Sequence, residues 1–244
     1  MKTLAIILVL ISNISFGQDL KLFFPEMDAT LINLWQGNPN GINIDKQVTF
    51  LNTEWVIASE VICQSLDSHL DENHLNIKEQ LTLLTAEADR KRINQVQRIA
   101  LDILKEFRTL REKQVSFIYP LDYLLSTYDA VLEIDYTVHD LMFGLRYWFE
   151  FQDLLNDLEC KWNSYRSISS IELLFYNQTL NLEQHEENCT KFENCMEDFL
   201  ASLDSGYQPD FKAPCSDMKE ALIDLIANYS RYEVYKDNSE LLKQ

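Results

Sequence analysis

Apolar residues recur along this chain at alternating steps of three and four, the spacing that puts them on one face of an α-helix. The clearest run is Leu182, His185, Cys189, Phe192, Met196, Phe199 and Leu203, the seam of a helix packed lengthwise against others. A second run, Ile44, Val48, Leu51, Trp55, Ala58, Ile62 and Leu66, predicts a long helix with Asp45 as its N-cap. Asn76 and Glu79 stand in capping-box spacing ahead of Ile77, Leu81, Leu84 and Ala88. That stripe continues through Val96, Ile99, Ile103, Phe107 and Leu110 with no Gly or Pro between. One helix to about residue 113 is therefore expected, roughly 55 Å long at 1.5 Å per residue.

Pro120 opens the next helix, with Leu121, Leu124, Leu125, Tyr128, Val131, Leu132, His139 and Met142 on one face. Beyond Gly144 the apolar centre moves to Trp148, Phe151, Leu155, Leu158 and Trp162. The aromatic residues on several sides of 147–151 favour a continuous helix whose two halves pack against different neighbours. Residues 204–214 read as a Gly/Pro loop. A last helix then turns Met218, Leu222, Leu225, Tyr229 and Tyr232 inward.

No strand-period alternation competes with these stripes, and the chain has no internal repeat. The expected fold is all-α, an elongated antiparallel bundle of four to five long helices. Residues 44–244 form a single bundle domain in this reading. Residues 18–43 are an N-terminal segment in which Pro25 starts a short helix carrying Met27, Leu31, Leu34 and Trp35. The Asn-Pro-Asn-Gly run at 38–41 is a turn, because it lacks the carboxylates and closing Glu of a calcium loop.

The first seventeen residues change the picture from fold to location. Lys2, the apolar run Leu4 to Ile11, and Ser15-Phe16-Gly17 have the three-part layout of a secretory signal peptide cleaved after Gly17. The run is too short to span a bilayer, since about 18 apolar residues are needed. Localisation is thus expected to be periplasmic or extracellular, with no transmembrane segment in the mature chain. Export permits disulfides. Four of the five cysteines, Cys160, Cys189, Cys195 and Cys215, fall close together in sequence and are the disulfide candidates, with Cys63 left as a buried thiol. Cys189 and Cys195 are six apart on one helix and point in different directions, so neither is expected to bridge the other.

Charge narrows the partner. The 244 residues carry a formal net charge of −18. Residues 78–113 hold nine basic and six acidic residues, whereas 114–160 hold nine acidic residues and only Arg146 as a base. The acid continues through Glu183, Glu186, Glu187, Glu193, Glu197, Asp198 and Asp204. Such a surface repels nucleic acid and anionic lipid and favours basic proteins or cations.

Candidate chemistry is sparse. Asp135 lies one turn before His139, so its carboxylate is placed to orient the imidazole. With His185 on a neighbouring seam, these three are the only metal-ligand candidates. Against them, no Glu-x-x-His or His-Glu-x-x-His occurs, and an inward histidine is more often a satisfied core residue. No cofactor is expected. Nucleophile elbows, phosphate-binding Gly loops and Ser-x-x-Lys are missing as well. The sequons at Asn177, Asn188 and Asn228 matter only where exported proteins are glycosylated, and Asn188, beside the helical seam, reads as a chance occurrence.

The leading expectation is an exported acidic binding protein that engages a basic protein, as an inhibitor or immunity protein does. The alternatives are a metal-binding protein or metal-dependent enzyme using Asp135, His139 and His185, and a structural helical protein.

Overall fold

The computed structural model describes residues 24–37, 43–65, 71–114, 119–140, 148–176 and 180–230. Every regular element among the described residues is helical: α1 (24–35), α2 (Ile44–Ser65), α3 (Asp71–Asp89), α4 (Ile93–Gln114), α5 (Pro120–His139), α6 (Trp148–Arg166), α7 (Ser170–Tyr176), α8 (Leu182–Ser202) and α9 (Gln208–Ala227). No helix among them is long and apolar enough to cross a membrane. The signal-peptide reading of residues 1–17 lies outside the described residues. They fall into two compact units, one holding α1–α4 and the other α5–α9.

In the first unit α1 is more than a lead-in. Met27 to Leu34 are all buried, so this helix is enclosed on every face. Its polar residues then need partners. Thr30 returns its hydroxyl to the Glu26 carbonyl at 2.9 Å, and Asp28 meets Arg111 of α4. Phe24 packs edge-on against Phe107 with centroids 5.4 Å apart, and the Arg111 guanidinium lies 4.9 Å from the Phe24 ring centre. Pairs 24–107 and 28–111 advance together, so α1 and α4 run in the same direction.

The cap of α2 is Asn43, not Asp45. Its side-chain oxygen accepts from the Asp45 N–H at 2.8 Å and, more weakly, from Lys46 at 3.4 Å. The stripe Val48, Leu51, Trp55 and Ala58 is buried as its spacing requires; the side chains of Ile62 and Cys63 lie outside the described residues.

The long helix expected to reach residue 113 is two helices. It breaks at Arg90–Arg92, where Lys91 takes a positive φ of 56°. The Lys91 N–H donates to Ala88 O at 2.8 Å, and the Arg92 N–H donates to Glu87 O at 3.0 Å. These are the paired bonds of a Schellman cap, with lysine in the left-handed position that glycine usually fills. The Glu87 carboxylate holds the turn from outside, 2.6 Å from Arg90 and 3.3 Å from Arg92. Asn76 does not cap α3, which begins earlier; it lies inside the helix and donates to Glu106 at 2.6 Å. Asn52 likewise reaches Thr85 at 3.1 Å. These cross-links make α2, α3 and α4 alternate in direction.

In the second unit α5 starts at Pro120 and ends at His139, where Asp140 turns extended (φ −65°, ψ 128°). The preferred continuous helix through Gly144 is thus corrected: the helix stops before it, and α6 packs back on α5. Residues 141–147 themselves are outside the described set. The Gly/Pro loop also shrinks. Gly206 closes the preceding turn at φ 62°, and α9 begins at Gln208. Pro209 sits in its first turn, where a missing N–H costs nothing; Pro214 is inside the helix. Backbone packing joins α6 to α5, α5 to α9, and α9 to α8. α6 and α8 close the set through side chains.

Candidate functional site

The meeting of α6 and α8 begins at one end with a tight polar and aromatic seal. The Trp162 ring lies 4.6 Å from the Phe192 ring, centre to centre, and its indole N–H donates to Glu193 Oε1 at 3.3 Å. Arg166 forks onto both oxygens of Glu186 at 2.9 and 2.8 Å, and its Nε lies 3.1 Å from Glu193. Those contacts hold the Glu186 carboxyl below its ordinary range and raise the Arg166 guanidinium. α8 is fixed here by Asn181, whose side chain caps it through the N–H groups of Glu183 and Gln184. Ser169 and Glu172 form a reciprocal capping box at the start of α7.

Beyond that seal the two helices part and leave a groove of about 730 Å³. Its floor is apolar: Leu158 and Trp162 are buried, Leu155 and Met196 are half-buried, and Leu200 is 42% exposed. Glu159, Glu193 and Glu197 stand on its rim, and no basic side chain among the described residues lines it. The helices that form it carry ten acidic residues against three basic ones. All three bases are engaged: Lys161 with Asp157, Arg166 with Glu186 and Glu193, and Lys191 with Asp224. Glu159 and Glu197 have no ion-pair partner among the described residues.

Beneath the seal is a buried polar cluster. The Tyr165 hydroxyl lies 2.8 Å from His185 Nε2 and 3.2 Å from the Tyr229 hydroxyl, and Cys189 Sγ is 3.6 Å from the same imidazole nitrogen. A Cys–His pair has the outline of a nucleophile and its base. Burial drives both to their neutral forms instead: it lowers His185 to about 4 and raises Cys189 to about 12. The two tyrosines are pushed up by the same desolvation. His185 Nδ1 has no hydrogen-bond partner among the described residues. The cluster therefore packs as a neutral network.

The three metal-ligand candidates are not gathered. Asp135 and His139 do pair, with His139 Nδ1 3.3 Å from Asp135 Oδ1 and 2.8 Å from the Asp135 carbonyl. His139 is exposed, however, because its helix ends there and its stripe runs off the core. The other Asp135 oxygen accepts from Lys219 Nζ at 2.6 Å, so a cation already occupies that carboxylate. His185 belongs to the tyrosine cluster. Among the described residues no group of three His, Cys, Asp or Glu side chains is placed to hold a metal.

The expected disulfides are likewise not formed: Cys160, Cys189, Cys195 and Cys215 are all free thiols. Cys189 turns to His185, Cys215 lies 3.9 Å from Asp135, and Cys160 faces solvent. Two of the sequons fall on packed side chains. Asn188 donates to Asn228 at 3.3 Å, and Asn228 is buried; Asn177 lies outside the described residues.

Sequence reasoning read Trp148, Leu155, Leu158 and Trp162 as a core stripe and so missed the groove. The signal was the polar set Gln152, Asn156, Glu159 and Asn163 interleaved on that same face, which a closed interface would exclude. Compared with known proteins, the chain matches no protein-family profile, no curated protein and no solved structure.

Proposed function

We propose that this chain is an exported binding protein whose acidic helical surface engages a basic protein partner, in the manner of an inhibitor or immunity protein. The observation that carries this reading is the acidic surplus of α6 and α8, two members of which, Glu159 and Glu197, flank an open apolar floor. Like charge accelerates no encounter with nucleic acid or anionic lipid, whereas a positive protein surface is steered onto such a field. Export, by cleavage after Gly17 into the periplasm or extracellular space, is part of the same reading and rests on the layout of residues 1–17. An antiparallel bundle as the scaffold belongs to the same reading. The cross-helix pairs Asn52–Thr85, Asn76–Glu106, Asp135–Lys219 and Lys191–Asp224 support it.

Affinity capture from the exported fraction of the native source, at low and high salt, tests the proposal. A basic protein retained at low salt and released as salt rises is the expected result. Recovery of nothing, or only of partners indifferent to salt, overturns it.

A further inference from the structure

We propose that the groove between α6 and α8 is a docking site for a basic amphipathic helix of about three turns, presented by another protein. This deepens the reading above and rests on it for the sign of the partner's charge.

The shape comes from the way the second unit closes. α6, α5, α9 and α8 pack closely in that order, while the last side of the ring, α8 back to α6, is packed more loosely and held by side-chain contacts. The polar and ring contacts described between them join Trp162–Arg166 on one helix to His185–Glu193 on the other. α6 and α8 run in opposite directions, because 162 meets 193 while 166 meets 186. The open stretch therefore sets 152–159 of α6 beside 196–200 of α8, where a further helix would complete the layer. From Gln152 to Glu159 the open stretch spans about 10 Å at 1.5 Å per residue, two helical turns, and the exposed Trp148 one turn before it makes three.

The chemistry of the walls selects the occupant. Leu155, Met196 and Leu200 offer partly exposed apolar surface to an apolar stripe, and methionine adapts to side chains of varied shape. Trp148, 49% exposed, continues the α6 face one turn beyond Gln152 and lengthens that surface. Glu159 and Glu197, both exposed and without an ion-pair partner among the described residues, flank the floor from opposite helices. A segment with leucines at i, i+3, i+4 and i+7 and lysines or arginines on both shoulders matches the floor and the rim together. An acidic or neutral helix would fit the floor and be repelled, or left unpaired, at the rim.

The test uses the full chain and three synthetic peptides. The first is a helix of leucines at that spacing with lysine shoulders. The second is its scrambled isomer, and the third has glutamate in place of lysine. The patterned basic peptide is expected to bind, with amide shifts confined to 152–163 and 193–200, and the other two at least about tenfold more weakly. The double substitution Glu159→Lys/Glu197→Lys, and separately Leu200→Asn, should each weaken binding by about tenfold. Glu187→Lys, on another face of α8, should not. All four positions are exposed, so an unchanged circular dichroism spectrum accompanies each variant.

If the scrambled basic peptide binds as well and the groove substitutions act no more than Glu187→Lys, the groove proposal falls while the basic-partner reading stands. If no cationic peptide binds at all, both fall. Concentration-dependent self-association that shifts the same amides, seen in sedimentation, would make the occupant a second copy and overturn the proposal.

Discussion

Asp28 and Arg111 form an ion pair in the interior of the first unit, with side chains 3% and 2% exposed. A single guanidinium nitrogen reaches both carboxylate oxygens, at 3.1 and 3.3 Å, while the ring of Phe24 covers the group. Removing one member takes an opposite charge away from the other in an interior shielded from water. Asp28→Asn is expected to destabilise the protein by about 3–5 kcal/mol. The joint change Asp28→Leu/Arg111→Met should recover most of that loss. Urea unfolding of the three forms decides it: equal costs for single and double variants would show that the pair's charge is not what the interior is built around.

His185 makes stability depend on pH in a defined window. Burial is the main cause of its lowered pKa, with Glu186 opposing and Arg166 reinforcing the shift. The folded value of about 4 lies below the ordinary 6.5, so the unfolded chain binds a proton first as pH falls. The contribution is complete above pH 6.5 and is lost between there and pH 4, amounting to about 3 kcal/mol. His185→Gln should flatten the difference in unfolding free energy between pH 7 and pH 4.5. An unchanged slope would mean that the imidazole titrates normally and is not desolvated.

The sequence carried the helical faces well and their ends poorly. Val48, Leu51, Trp55 and Ala58 are buried because period and burial are the same fact about a helix packed on one side. The seam His185, Cys189, Phe192 and Phe199 is buried for the same reason. Ends depend on a few backbone bonds. Lys91 in a left-handed conformation leaves no compositional mark, and Pro214 inside α9 read as a stop. The Asp135–His139 pair was legible because four residues along a helix bring side chains together. His185 was not legible as its neighbour or as a stranger, since that depends on which helices pack. The groove was hidden for a related reason: a stripe tells which face is apolar, not whether a partner covers it.

The free thiols separate by burial. Cys189 and Cys215 are buried and raised to about 12, chiefly by desolvation, so almost no thiolate forms near neutral pH. Cys160 is exposed on α6. Native alkylation at pH 8 followed by peptide mapping should therefore label Cys160 and leave Cys189 and Cys215 unmodified until the chain is unfolded. Prior reduction should not change the pattern at these sites. Mapping that recovers any of them as a disulfide-linked peptide would contradict this arrangement of thiols.

The turn at Lys91 offers the sharpest stability test, because one atom decides it. At φ 56° the lysine Cβ crowds the backbone, a cost of about 1–2 kcal/mol that glycine does not bear. Glycine also gives the unfolded chain more freedom, which offsets part of the gain. The Schellman bonds from Lys91 to Ala88 and from Arg92 to Glu87 use backbone atoms only, so both survive the change. Lys91→Gly is accordingly expected to stabilise the α3–α4 hairpin by about 0.5–1 kcal/mol, and Lys91→Val to destabilise it by more than 1 kcal/mol, since a β-branched residue tolerates this conformation least. Thermal unfolding of both variants reads the sign directly. If glycine lowers the melting temperature, the strain relieved at Lys91 is smaller than the backbone freedom that glycine adds to the unfolded chain.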